Sequence, residues 1–226
     1  TSESKLNTLL GINKFLGATW QYQTNEMLTS TVTLNHEINP NWNFNTVAFF
    51  QDYTRDFYGT ERIQWNLQTN GDYVWKRTLN KQLQEQKYGS LQFNLKGQFK
   101  TGKLNHKLLV GADADYLQAD TYAYQLQKQD GTFADAGNNF VYGTNGNTSN
   151  GNISLSDETT WKSGDKLNSR QKDLNRIPTR RVGIYAQDLI SITDKFKVLA
   201  GLRWSYLENK NTIVENYLNN TKTYKA

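Results

Sequence analysis

The sequence predicts an all-β fold, an antiparallel transmembrane β-barrel of which this chain supplies about six strands. Six segments alternate apolar and polar residues with period 2, the pattern of strands whose two faces meet different surroundings. Short and long connections between them strictly alternate, as in barrels with tight turns on one side of a membrane and long loops on the other. Aromatic residues gather near both ends of the segments, where strands cross the two interfaces.

In the first segment Leu28, Ser30, Val32, Leu34 and Ile38 oppose Thr29, Thr31, Thr33, Asn35 and Glu37. The second sets Trp42, Phe44, Thr46, Ala48 and Phe50 against Asn43, Asn45 and Gln51. Leu91, Phe93, Leu95, Gly97 and Phe99 share the third, and Leu108, Val110, Ala112, Ala114 and Tyr116 the fourth. The fifth carries Val182, Ile184 and Ala186, and the sixth Phe196, Val198, Ala200, Leu202, Trp204 and Tyr206. This parity puts Val182, Ile184, Val198, Ala200, Leu202 and Trp204 toward lipid. Gly183, Tyr185, Gln187, Gly201, Arg203 and Asp113 then face a polar lumen.

Asn39-Pro40-Asn41, residues 100–105 and Thr193-Asp194-Lys195 are the short connections, rich in turn residues. The long ones are read as 55–86 and 128–178, the second containing a Gly- and Asn-rich stretch at Gly143–Gly151. Within the first, Tyr73–Leu79 is expected to extend the third strand beyond the membrane. Structureless loops longer than about 15 residues are uncommon in compact soluble domains. Two in succession favour the barrel over a soluble β-core. Trp42 and Phe196 follow short turns, and Phe50, Tyr53, Tyr116, Trp204 and Tyr206 lie near the opposite ends.

Composition excludes several classes. The chain of 226 residues is only 36% hydrophobic, yet it holds 6 Trp, 13 Tyr and 10 Phe, which argues against disorder. No run of about 18 apolar residues is present, so no transmembrane helix is expected. With no cysteine, disulfides, Cys-based zinc sites and thiol nucleophiles fall away together. Thr1–Lys5 lacks the apolar core of a signal peptide, so any leader is expected outside this sequence.

Residues 181–208 carry the sharpest motif. They read Arg-Val-Gly-Ile-Tyr-Ala-Gln-Asp-Leu-Ile-Ser-Ile-Thr-Asp-Lys-Phe-Lys-Val-Leu-Ala-Gly-Leu-Arg-Trp-Ser-Tyr-Leu-Glu. This resembles the G-(I/V/L)-Y-x-Q-D hairpin, closing on G-(L/I)-R-(Y/W)-D, of TonB-dependent siderophore receptors. Gly183, Tyr185, Gln187, Asp188, Asp194, Gly201, Leu202 and Arg203 match, and Ser205 stands where the family commonly has Asp. His106–Asp113 is similar to the family's HKLLVGVD strand. Phe15-Leu16-Gly17, followed by Trp20, is similar to a segment of ferrichrome-type members.

The resemblance implies a barrel of about 22 strands, an N-terminal plug, a Gram-negative outer-membrane location and energy delivered by TonB through a box preceding the plug. Nothing in 1–226 resembles the plug, and six strands fall short of the roughly eight that close a barrel. Residues 1–226 are therefore expected to be a segment of the barrel, starting and ending on the extracellular side. The implied function is active import of a ferric siderophore, with iron as cargo and no cofactor. The alternatives are a TonB-dependent importer of glycans or cobalamin, and a soluble all-β glycan-binding module.

No catalytic set is legible. His36 and His106 lack ligand spacing, and Asp113 with Asp115 reads as ordinary lumen polarity rather than an acid–base pair. Arg181 and Arg203 are expected to face the lumen, where plug carboxylates can pair with them. Gly111 and Gly201 are expected to allow close packing of the plug. The candidate ligand contacts are Phe57, Tyr58, Trp65, Tyr73, Trp75 and Trp161, whose rings can cover apolar faces of a siderophore. Lys162, Lys166, Arg170, Lys172, Arg176, Arg180 and Arg181 form a basic stretch. It is read as an outer loop that attracts anionic siderophores or lipopolysaccharide phosphates. Trp161 is the only aromatic there, too few for the stacking that nucleic-acid binding requires.

Overall fold

The structure is a computed structural model that describes residues 14–137, 140–142, 152–209 and 212–225. Gly143–Gly151 lies outside them. A nine-stranded antiparallel sheet is built on β1 (Tyr22–Asn39), β2 (Trp42–Thr60), β5 (Leu79–Thr101), β6 (Leu104–Gln127), β9 (Ser169–Ser191) and β10 (Lys197–Asn209), each hydrogen-bonded to the next. These are the six strands of the alternating pattern. β11 (Thr212–Asn216) pairs with β9 beyond the end of β10 and so continues the sixth strand. The chain then turns at 217–220 into β12 (Thr221–Lys225), which adds the beginning of a seventh. The side chain of Asn216 holds that turn by accepting from the N–H groups of Leu218 and Asn219, both at 3.0 Å.

Short turns join β1 to β2 at Pro40-Asn41, β5 to β6 at Gly102-Lys103, and β9 to β10 at 192–196. Gly102 adopts φ 60°, the left-handed conformation that favours glycine. At the other end the strands run much further than their alternation suggests. β6 has 24 residues, about 80 Å of strand, whereas about 9–11 residues cross the hydrocarbon. The long connections therefore shrink to 61–78 and 128–168, and Phe57 and Tyr58 belong to β2 rather than to a loop. Both faces of these extensions are polar enough to read as loop, yet backbone pairing continues from Asp52↔Lys87 to Tyr58↔Lys81.

The connections carry strands of their own. β3 (Trp65–Leu67), β4 (Tyr73–Lys76) and β8 (Asn152–Ser154) form a separate three-stranded sheet. Tyr73–Lys76 thus does not extend the third strand, because it pairs with the loop after β6 instead. β7 (Phe133–Asp135) pairs with the end of β6, and a 3-10 turn spans Glu158–Trp161.

Register locks the two faces of the large sheet. One row runs Val32, Ala48, Leu91, Ala114, Val182, Tyr206, and the next of the same parity runs Leu34, Thr46, Phe93, Ala112, Ile184, Trp204. Large apolar side chains on this face stand open, Leu202 at 82% exposure. The two register irregularities, at Glu37/Asn39 and Ala123/Tyr124, both lie beyond these rows. Aromatic pairs mark the belt's edges. Trp42 stacks on Phe99 at one end, and Trp204 on Tyr206 toward the other. Tyr53 takes the opposite parity and leaves that girdle; its hydroxyl donates to Asn25 at 3.0 Å.

The turn-side edge of the apolar belt holds one polar pair. Asp188 shares parity with Ala186 and would meet lipid, but it lies 2.7 Å from Nδ1 of His106 on β6. The His106 ring is stacked under Phe99 at 4.7 Å, and Phe99 under Trp42. A carboxylate there is tolerated only because it is partnered and shielded.

Two outcomes are expected from unfolding measurements on the intact barrel in lipid vesicles. Ala112→Arg, in the middle of the apolar rows, should destabilise by about 2–4 kcal/mol, and Gln187→Arg on the polar face by under about 1 kcal/mol. Equal losses would reverse the facing. His106→Ala should cost about 3 kcal/mol by stranding Asp188, whereas the paired change His106→Leu with Asp188→Leu should recover most of it.

Candidate functional site

The face opposite the belt carries a continuous polar network. Asn45 donates to Asn35 at 2.7 Å, Asn94 to Asn45 at 3.3 Å, and the Tyr185 hydroxyl to Asn94 at 2.5 Å. Gln92 donates to that same hydroxyl at 3.0 Å. Arg203 grips Asp113 through both terminal nitrogens at 2.8 Å, reaches Ser205 with Nε at 2.8 Å, and lies over the Tyr185 ring. Arg181 reaches Asp115 at 2.8 Å. The two aspartates two residues apart on β6 are thus each closed by an arginine, Asp115 by β9 and Asp113 by β10. Each arginine is paired within the sheet yet about half exposed on this face, Arg181 at 52% and Arg203 at 48%. Gln187 lies on the same face, two residues below Tyr185 along β9.

Two glycines make this network possible. A Cβ on Gly111 would overlap the Tyr185 ring, and one on Gly183 would overlap the Arg203 guanidinium. Gly111 is therefore filled from the neighbouring strand, a large side chain covering a bare stretch of backbone. Gly201 has only ordinary contacts, the nearest at 3.4 Å.

Above the belt, the aromatic candidates separate. Tyr58 is 1% exposed in a cluster with Ala18, Leu79, Leu126, Phe140 and Tyr142, and its hydroxyl donates to the Leu167 carbonyl at 2.8 Å. Trp75, also 1% exposed, packs with Leu16 and Ile153 against Trp65 and Trp161. Neither ring presents surface to a ligand, because each fills the base of its own loop. Trp65, Trp75 and Trp161 come together; Tyr73 pairs with Leu67 beside them, and Phe57 stands apart on the polar face of β2.

The loops are pinned by buried cations and phenols. Arg77, 1% exposed, donates to the carbonyls of Trp161 at 2.8 Å and Lys162 at 3.1 Å, and burial lowers its pKa to about 10. Burial likewise pushes the Tyr58 hydroxyl well above its usual range. Burial opposes the charge of Lys81, but Tyr22 and Asp56, at 3.2 and 3.3 Å, outweigh it and raise its pKa. Lys166 lies 5.0 Å from the Tyr22 ring centroid, a second cation over the same phenol.

The basic stretch is mostly strand rather than loop, and three of its seven cations are met by carboxylates. Lys172 meets Asp135 at 2.6 Å, Arg176 meets Asp120 at 2.6 Å, and Arg181 meets Asp115. Arg170 is different: it bonds the Gln125 amide oxygen at 2.7 Å and lies 4.1 Å from the Phe133 ring centroid. Arg55 on β2 repeats that arrangement with Gln23 at 3.1 Å and Phe57 at 5.7 Å. The alternation pattern does not single it out, because β2 reads as ended before residue 55.

Gly183→Ala should push Arg203 off Asp113 and cost about 1–3 kcal/mol in equilibrium unfolding. In an Arg203→Ala background the same change should cost far less. Additive losses would show that the guanidinium does not need that space.

Residues 4–226 match the family described as "TonB dependent receptor-like, beta-barrel". A curated relative, the "Probable TonB-dependent siderophore receptor PiuA" of Acinetobacter baumannii, is 26% identical over 187 residues, covering 83% of this chain and 24% of its own length. The crystal structure of the siderophore receptor PiuA from that organism superposes with a TM-score of 0.67 at 21% identity, over 90% of this chain and 28% of that one. The ferric-catecholate import receptor Fiu from E. coli K12, in its closed form, gives 0.64 at 19% identity, over 90% and 26%. The chain spans about a quarter of the length of these relatives. With the match running through both the apolar belt and the polar face, the chain belongs to the TonB-dependent receptor-like β-barrel family.

Proposed function

We propose that this chain is part of an outer-membrane receptor that binds a ferric siderophore outside the cell and imports it with energy from TonB. The observation that carries the reading is the two-faced sheet itself. One face offers lipid an apolar belt edged by aromatics, and the other offers a lumen a closed polar network. The matched relatives bear siderophore-receptor names, and Fiu is named for ferric-catecholate import, which supports ferric chelates over glycans or cobalamin. The ferrichrome-type likeness of residues 15–20 supports no choice among them, since Leu16 and Trp20 pack in the loop cores.

No chemical step is required of the protein. A plug seated in the lumen would hold the chelate in one state and release it in another, and the difference in affinity between those states drives transport. The outward face would meet lipid and, above it, lipopolysaccharide. Cells carrying the intact receptor should accumulate iron from a ferric siderophore under iron limitation, and cells lacking TonB should bind the chelate without accumulating it. Uptake that is unchanged without TonB would overturn the energised mechanism.

A further inference from the structure

The polar face changes character along its length. Around Asp113 and Asp115 each cation is met by a carboxylate. Further from the short turns, the same parity of β1, β2 and β5 presents neutral amides: Gln23 beside Phe57 and Gln82, and Asn25 beside Arg55 and Gln84. Amides satisfy donors and acceptors alike but supply no compensating charge. The carboxylates nearest this level, Asp135 and Asp173, both contact Lys172, at 2.6 and 3.7 Å.

Two cations on this stretch make no ion pair among the described residues, Arg55 and Arg170. Each is held over a phenylalanine ring by a glutamine oxygen. The Nε of Arg55 is buried without a hydrogen-bond partner, so nothing within the wall compensates the charge beyond the one bond to Gln23. Register places the two on one face, since Arg55 aligns through Gln84 with Thr121, and Arg170 pairs with Gln125 four residues further along β6. Strand geometry puts their backbones about 20 Å apart, three strand spacings and four residues.

We propose that Arg55 and Arg170 flank the bound cargo and select an anionic ferric chelate over a neutral one. The assignment rests on the reading of this chain as part of a ferric-siderophore receptor, and it narrows the cargo to a class. The amides around them hydrogen-bond the chelate's ligand oxygens, and the two guanidiniums meet its net charge. Long-range attraction into a lumen walled by low-dielectric protein raises capture, and it weakens as salt rises.

The test measures equilibrium binding by the intact receptor in detergent, with a trianionic ferric tris-catecholate and a neutral ferric tris-hydroxamate as probes, across a salt series. The wild type should prefer the anionic chelate and lose that preference at high salt. Arg55→Gln and Arg170→Gln should each weaken anionic binding by about tenfold and leave neutral binding unchanged, and Arg55→Lys should retain most of it. A folded Arg55→Gln receptor, judged by its resistance to unfolding in the gel, that binds the anionic chelate normally overturns the assignment alone. An equal loss for both chelates, with lower stability of the ligand-free receptor, also overturns it and gives Arg55 to an enclosed segment of the protein. Binding of neither chelate by the wild type overturns the transport reading and this assignment with it.

Discussion

Inside hydrocarbon a backbone N–H or C=O without a partner costs several kcal/mol, so a segment that crosses as strand must hydrogen-bond along its whole length to neighbours on both sides. The ladder from β1 to β10 meets that demand for the interior strands, without a register slip anywhere in the apolar rows. β1 and β10 keep one open edge each within this sheet, which further strands of the same kind would cover. Because register is unbroken, the side-chain period of 2 carries across six strands. Each face then becomes a chemically uniform surface assembled from residues far apart in the chain.

That uniformity separates two problems that a soluble sheet solves together. The apolar face needs no internal packing, because lipid completes it, and its largest side chains stand exposed. Midway along the polar face two carboxylates are closed within the wall by pairing between neighbouring strands, Asp113 with Arg203 and Asp115 with Arg181. Asp188 is the exception that shows the rule: placed on the lipid parity, it is kept only with His106 beside it and an aromatic stack above. Glycine serves both faces, giving up its own side chain so that Trp42 lies over Gly97 and Tyr185 over Gly111.

Beyond the membrane the constraint relaxes and a different core takes over. The strands keep pairing, but their outward parity, at Tyr58, Leu79 and Leu126, is now covered by the protein's own loops. Arg77 shows how those loops are fixed, reaching two carbonyls of the segment that crosses it. The opposite parity stays open and rich in amides, and there Arg55 and Arg170 remain without a carboxylate partner among the described residues.

Alternation by itself determined the six membrane-crossing strands, their short turns and the parity of each, because burial against lipid on one side writes a period of 2 into the residues. The motif at 183–203 further carries the family resemblance in the residues alone. Above the belt the residues alone say less. Strands polar on both faces look like loop, so the ends of β2 and β9 are not legible; ring chemistry does not disclose what covers Tyr58 and Trp75; and Arg170 through Arg181 read as a charged patch. Only the tertiary structure decided which cations are neutralised, since Asp120, Asp115 and Asp113 lie tens of residues from their arginines and meet them solely through register. Arg55 and Arg170 are distinguished from those others by what register does not bring to them, and that is a property of the assembled wall rather than of any local sequence.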